Sequence, residues 1–278
     1  MKREGINYIS YALNEASGAA QPMNPLKDIS RLFFPRVCAA CGCVLPETGG
    51  LICNACRWKM PLTGFCERAQ NPVKEKLHPL LPVVNACSFF FFVNGSDFRS
   101  LIHTFKYRGG WRIAEQMGRW FGEEMAGSGL YGDIDLIVPV PLHIRKRLRR
   151  GYNQSEYIAN GISKAISVPV SAGSVVRDRY SQSQTERKKS ERWDNVHGIF
   201  SVPDPEKLRG KHILLVDDVL TTGATLVSCG EAILNAVEDC RLSIATLAVS
   251  KNELRESRAK YHGKRYDPDT ALSETPQE

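Results

Sequence analysis

The sequence predicts an α/β protein: a parallel sheet flanked by helices, preceded by a small cysteine-rich segment. Three observations carry this reading. Short apolar runs suited to buried strands recur at 83–93, 135–143, 213–216 and 243–249, with segments of helical spacing between them. Two of these runs, at 135–143 and 213–216, end in a tight turn that leads toward a helix. Ahead of them all, residues 38–56 hold two C-x₂-C pairs.

The chain has 278 residues, room for one full α/β domain and a small second unit, and its 42 % hydrophobic content is enough for a core. No apolar run reaches membrane-spanning length. The first twenty residues lack the apolar centre of a signal peptide, so a cytoplasmic location is expected. In that setting the nine cysteines read as metal ligands or buried thiols before disulfides. The net charge of +7 is uneven: Arg145, Lys146, Arg147, Arg149 and Arg150 fall within six residues and no acid lies among them. Such a block suits a polyanion, whether diphosphate, nucleic acid or an acidic surface, and a solvated basic loop is the plain alternative.

Residues 1–22 show no period and are expected to be an extension ahead of a native start at Met23. Residues 23–66 are expected to bind zinc. Cys38 and Cys41 form one knuckle, Cys53 and Cys56 the other, and two knuckles complete a tetrahedral shell. Cys43 and Cys66 are left over and could substitute in it. A shell closed by four protein ligands leaves no place for a catalytic water, so a structural role is expected. Residues 67–82, polar and proline-bearing, read as a linker. The strand at 83–93 contains Phe89, Phe90, Phe91 and Phe92, expected to pack on both faces of a sheet. Residues 96–107 place Phe98, Leu101, Ile102 and Phe105 on one helical face, and a second helix is expected from 111 to 125. The strand at 135–143 runs into a turn restricted by Pro139 and Pro141, followed by the basic block and a helix over 156–165. A strand is expected at 168–176. Residues 177–196 are charged and almost free of aliphatics, the composition of a solvated loop or of a lid over a charged ligand. A short strand at 198–202, a linker to 210, a helix ending near 238, a strand at 243–249 and a polar tail from 255 to 278 complete the chain.

The residues at 211–230 organise the rest. An apolar strand ends in Asp217 and Asp218, and Thr221, Thr222, Gly223, Ala224 and Thr225 lead into a helix. A helix start offers amide donors and positive dipole character to a phosphate. Glycine lets the backbone wrap an anion, and threonine hydroxyls add donors. Two carboxylates would repel that phosphate, so they suit a vicinal diol, gripped directly or through a divalent metal. The pattern describes a phosphorylated ribose.

This stretch resembles the phosphoribosyl-diphosphate (PRPP) motif of type I phosphoribosyltransferases at every position. The resemblance implies that Asp217 and Asp218 hold the ribose hydroxyls and that residues 221–225 hold the 5′-phosphate. It also places the diphosphate near Pro141, Leu142 and His143, with contacts from Arg150, Asn153 and Gln154. A longer series resembles the ComF family of competence-associated proteins. It comprises Phe33-Phe34-Pro35 before Cys38 and Cys41, the second knuckle, Lys106-Tyr107-Arg108-Gly109, residues 138–143, residues 150–155, Gln184-Thr185 with Arg192 and Asn195, and the PRPP motif. Cys66 departs from that family's pattern in lacking a partner cysteine.

The resemblance implies a zinc-bearing segment at 23–66 on a type I phosphoribosyltransferase-like domain at 83–254, and a link to natural transformation or DNA uptake. The expected chemistry is displacement of diphosphate from PRPP by an acceptor nitrogen with Mg²⁺, and a loop at 181–192 is expected to close and bring Arg187, Lys188 or Arg192 to the leaving group. Arg145, Arg147 and Arg149 would add charge nearby. The alternative is a non-enzymatic PRPP sensor whose zinc unit and basic loop contact single-stranded DNA or DNA-uptake and recombination proteins.

Overall fold

The structure is a computed structural model and describes residues 35–92, 98, 101, 102, 104, 110–177 and 199–255. Among these lie six strands: β1 (Ala86–Phe92), β2 (Leu136–Pro139), β3 (Val176–Arg177), β4 (Phe200–Ser201), β5 (His212–Leu220) and β6 (Arg241–Ser250). The helices are α1 (Asn54–Trp58), α2 (Pro72–Leu77), α3 (Trp111–Ser128), α4 (Ile144–Arg150), α5 (Gln154–Ile166) and α6 (Ala224–Ala236). No helix among the described residues is long and apolar enough to cross a membrane.

Four strands form a parallel sheet in the order β1-β6-β5-β2, while β3 and β4 pair antiparallel as a separate ribbon. Parallel sheets bury both faces, so their strands read as unbroken apolar runs. Ile213, Leu214, Leu215 and Val216 of β5 are fully buried, and Phe89, Phe90 and Phe91 of β1 are buried on alternating sides. Pro139 pairs with Val216, Val216 with Ala245, and Ala245 with Cys87. That row fixes the register, so the turns after β2 and β5 emerge side by side at the carboxyl edge.

Helices α3 and α5 press together through glycine. A Cβ on Gly161 would lie 2.1 Å from the Glu115 carbonyl oxygen, and one on Gly118 would lie 2.3 Å from that of Ile158. Side chains there would hold the backbones apart; glycine lets α5 seat deeply, against β2 and β5.

The cysteine-rich unit closes the other edge of the sheet. Leu62 bridges to Phe90, the Thr63 amide donates to the Phe89 carbonyl at 3.0 Å, and the Phe91 amide donates to the Pro61 carbonyl at 2.8 Å. The Leu51 amide donates to Gln116 Oε1 of α3 at 2.8 Å, and the Arg57 guanidinium lies over the Trp120 ring. An exposed strand edge invites pairing with other chains, and here the protein's own segment covers it. One continuous core runs from Cys38 and Leu45 to Val249 and Leu254.

Four expectations change. The β5 strand continues through both aspartates to Leu220 instead of ending at 216. The segment read as a linker, 67–82, carries α2, capped by Asn71 and opened by Pro72, and buries Val73, Leu77 and Leu81. Its apolar residues are too few to show a period, yet each meets the sheet or α6. The expected strand at 168–176 divides into a single bridge from Val170 to Ile137 and the short β3, because a turn at 172–173 interrupts it. The basic block is a helix, α4, instead of a loop. Phe98, Leu101 and Ile102 are buried in helical backbone as expected. Residues 1–22, most of 96–107, the loop at 181–192 and the tail beyond Arg255 lie outside the described residues.

Candidate functional site

Two clusters of chemistry-bearing side chains emerge. The first is made by the knuckles. The sulfurs of Cys38, Cys41, Cys53 and Cys56 all lie within 4.8 Å of one another. Cys41 Sγ and Cys53 Sγ stand 3.8 Å apart. A tetrahedral zinc shell with Zn–S near 2.3 Å separates its sulfurs by about 3.8 Å, so this donor set fits zinc. Backbone amides help: the Cys53 N–H donates to Cys38 Sγ at 3.3 Å and the Cys56 N–H to Cys53 Sγ at 3.4 Å. Burial opposes ionisation of Cys38, but amides of Cys41, Cys53 and Ala40 outweigh it and bring its thiol down to about 6.

The two leftover cysteines lie in different places. Cys43 is an exposed hydrogen-bonding neighbour of Cys41 and Cys53, which push its thiol up to about 12. Cys66 is fully buried elsewhere and donates to Cys87 Sγ at 3.2 Å. Glu124 and Tyr131 neighbour that pair. Burial, with the Glu67 charge added, pushes Glu124 up to about 7 against a hydrogen bond with Cys66.

The second cluster lies at the carboxyl edge, where the ends of β2 and β5 meet the start of α5. The local sequence explains the join. Asn153 caps α5 by accepting from the Ser155 amide at 3.3 Å, and its Nδ2 donates to the Val140 carbonyl at 3.0 Å. One side chain thereby ties the turn after β2 to the helix. Ser155 Oγ then donates to Asp217 Oδ1 at 2.9 Å, and the Asp218 amide donates to the same oxygen at 2.9 Å. Asp218, as the next residue of a strand, projects to the opposite face. A ligand touching both carboxylates must therefore straddle the strand's end.

After β5 the chain turns at 221–223 and enters α6. Gly223 stands at φ 89°, a conformation that strains any side chain, and a Cβ there would press on Leu77 at 3.1 Å. Thr222 Oγ1 accepts from the Ala224 amide at 3.4 Å. Thr221 is exposed, and Thr222 and Thr225 are half-buried. The first amides of α6 and the threonine hydroxyls thus belong to one turn, the arrangement that an anion favours.

Across from it, Pro141 and Leu142 are half-buried and His143 is buried. His143 caps α4 through Nδ1, which accepts from the Arg145 amide at 3.2 Å. Burial, then the charges of Arg177, Arg145 and Lys146, hold its imidazole below the usual histidine range. Arg150 Nη1 donates to Gln154 Oε1 at 2.9 Å, while Arg150 Nε and Gln154 Nε2 are buried without a hydrogen-bond acceptor among the described residues.

Two residues here escaped the sequence reading as ligands or supports. Ser155 stands inside a quoted motif, but its contact with Asp217 spans sixty-two positions. Arg177 closes β3 with its guanidinium over the Phe200 ring at 5.3 Å. Its Nε is buried without an acceptor among the described residues, and it lies within electrostatic reach of Asp217 and His143. Burial lowers its affinity for a proton and the Asp217 charge opposes that loss. In the sequence Arg177 is one cation at the start of a charged stretch, and no spacing marks it out. Arg187 and Arg192 lie outside the described residues.

Comparison with known proteins completes the description. A family model described as "Phosphoribosyl transferase domain" matches residues 153–272. The DNA utilization protein YhgH of Salmonella typhimurium is 27 % identical over 216 residues, spanning 73 % of this chain and 92 % of that protein. Competence protein ComFC of Bacillus subtilis is 25 % identical over 213 residues, spanning 76 % of this chain and 83 % of that protein. Among solved structures, an allosteric regulatory enzyme of purine biosynthesis aligns over 59 % of this chain and 45 % of that one with 14 % identity and a TM-score of 0.34. An alignment that loose carries no argument.

Proposed function

This chain belongs to the ComF family of proteins with a phosphoribosyltransferase domain, and on that premise we propose that it binds PRPP with Mg²⁺ and transfers the phosphoribosyl group to an acceptor nitrogen. The observation that carries the proposal is the pairing, at one sheet edge, of the Asp217–Asp218 strand end with the Gly223-capped start of α6. A sugar 5′-phosphate sits against the amides and hydroxyls of residues 221–225. Asp217, oriented by Ser155, and Asp218 take the ribose hydroxyls. The turn at 141–143, with Arg150 and Gln154, receives the diphosphate, and Asn153 acts by holding that turn to α5. In the reaction the bond from C1 to the diphosphate oxygen breaks, a bond from the acceptor nitrogen to C1 forms, and that nitrogen gives up its proton. Mg²⁺, an oxygen-seeking ion, would supply charge neutralisation on the diphosphate. Buried cationic donors would favour the leaving group because its negative charge grows as the bond breaks.

A zinc ion held by Cys38, Cys41, Cys53 and Cys56 is structural in this reading and fixes the unit that covers the β1 edge. The names of the relatives, which speak of DNA utilization and competence, support a role in DNA uptake or use.

Calorimetry with PRPP and Mg²⁺ tests the pocket. Saturable binding is expected, with loss of at least about tenfold in affinity in the Asp217→Asn, Asp218→Asn double variant. Unchanged binding in that variant overturns the assignment. Diphosphate release against a panel of bases and amines then tests transfer; a protein that binds PRPP but releases none with any acceptor is a sensor and no transferase.

A further inference from the structure

Two thiols in the core serve neither the knuckles nor the carboxyl edge. Cys66, from the turn at 65–67, and Cys87 of β1 are both fully buried, with their sulfurs 3.2 Å apart. The backbone around them is pinned. Asn71, itself buried, donates through Nδ2 to the Phe65 carbonyl at 3.3 Å and to the Ala86 carbonyl at 2.8 Å. Those are the peptide groups that lead into Cys66 and Cys87. Thr63 Oγ1 donates to the Ser88 carbonyl just past Cys87. A disulfide sets its sulfurs about 2.05 Å apart, so the pair has about 1 Å to close, a distance that side-chain rotation covers. The surroundings are polar where packing alone would take apolar atoms. Glu124 of α3 adjoins Cys66 and keeps Oε1 buried without a hydrogen-bond partner, and Tyr131 adjoins Cys87. A buried carboxyl left incompletely bonded costs stability; beside two thiols it supplies a base. Burial, with Cys87 and Glu124 alongside, holds the Cys66 thiol well above its ordinary range, so it does not ionise unaided.

We propose that Cys66 and Cys87 form a dithiol site that a small peroxide oxidises to a disulfide, with Glu124 as the proton acceptor. Cys66 passes its proton to the Glu124 carboxylate as its sulfur takes one peroxide oxygen. The O–O bond breaks, and the departing hydroxide takes up that proton as water. The Cys87 sulfur then attacks the Cys66 sulfur: the S–S bond forms, the S–O bond breaks, and the hydroxyl leaves with the Cys87 proton as a second water. The two thiols lose two electrons and the peroxide gains them. The oxidant is small because both sulfurs are covered, and half-buried Glu124 gives the cluster its side toward solvent. The bond joins positions 21 apart and closes a loop that contains α2. Leu77 of α2 lies against the Gly223 turn, so the disulfide fastens both the cover of the β1 edge and a support of that turn. It stands independently of the transfer reaction.

The full chain, supplied with zinc and treated with hydrogen peroxide, tests this. Mass spectrometry of a non-reduced digest is expected to show the Cys66 and Cys87 peptides joined with loss of two hydrogens. The melting temperature is expected to rise by about 5 °C or more. Dithiothreitol in denaturant should return both thiols. Cys87→Ala should show neither the cross-link nor the rise, and Cys66→Ser repeats the test with a different side chain removed. Glu67, Tyr131, Cys66 and Cys87 are the titratable groups beside Glu124. As Glu124 ionises, the oxidation rate should climb between about pH 6 and pH 8, an inflection that Glu124→Gln should lack. Both thiols still open to alkylation in denaturant after peroxide, a cross-link from either one to a knuckle cysteine, a sulfinic acid as the end product, or superimposable pH profiles of parent and Glu124→Gln would each overturn the proposal.

Discussion

Replacing Gly161 by alanine tests how the site is held from a distance. An added Cβ would sit 2.1 Å from the Glu115 carbonyl oxygen, 2.6 Å from the Arg119 nitrogen and 2.9 Å from the Gly118 carbonyl carbon. All are backbone atoms of α3, so no rotamer relieves the clash. Restoring an ordinary contact of about 3.4 Å requires α5 and α3 to separate by about 1.3 Å. Overpacking a tight core costs about 3 kcal/mol at the upper end, and alanine returns about 1 kcal/mol of helix propensity. A net loss of about 2 kcal/mol follows, which for a chain of this size lowers the melting temperature by roughly 4–8 °C. Gly127, also in α3, provides the internal control. A Cβ there meets nothing within 4 Å, so Gly127→Ala should stabilise the protein by about 0.5–1 kcal/mol. Circular dichroism melts of the two variants, side by side, read the difference. Because α5 begins with the residues that orient Asp217, Gly161→Ala should also weaken PRPP binding at temperatures where the variant is folded. If Gly161→Ala melts at or above Gly127→Ala, the close helix contact is not what seats α5, and the reasoning fails.

Glu124 should make stability fall with rising pH. Its folded value, about 7, lies above the ordinary 4.5, so its contribution is complete below pH 4.5 and is lost as pH rises through 7. That rise sets a ceiling of about 3 kcal/mol, lowered to about 2 kcal/mol because the carboxyl is partly open to solvent. Glu124→Gln should therefore gain stability over the parent at pH 8 and little at pH 4.5, as read from urea midpoints; a parallel pH dependence in both proteins contradicts this. Atomic emission should find one zinc per chain, lost in Cys38→Ser or Cys56→Ser and retained in Cys66→Ser and Cys43→Ser; retention in the first pair removes the assignment. Asn153→Ala should cost about 1–2 kcal/mol in a denaturant melt, since it removes a helix cap and strands the Val140 carbonyl; an unchanged midpoint shows that the cap is dispensable.

Local order was legible in the sequence wherever the signal is local. The unbroken apolar runs of β1, β5 and β6, the knuckle spacing of Cys38, Cys41, Cys53 and Cys56, and the glycine needed at 223 each follow from chain periodicity, ligand count or backbone sterics within a few residues. The same signals sufficed to place one candidate site at the end of β5. Other features depend on neighbours distant in the chain. Residues 67–82 look like a linker until Val73, Leu77 and Leu81 find the core. Cys66 looks like a spare ligand until β1 brings Cys87 to 3.2 Å from it. Ser155 and Arg177 gain meaning only because parallel pairing sets the end of β2 beside the end of β5 and the fold brings Arg177 within electrostatic reach of Asp217 and His143. The contacts of Arg147 with Glu156 and of Arg150 with Gln154 were likewise invisible in a string of arginines. Composition determined that a charge-rich turn and a phosphate-shaped helix start exist. Tertiary packing decided which of their side chains face each other, because a hydrogen bond or ion pair acts over a few ångströms, and only the folded sheet brings residues sixty positions apart to that range.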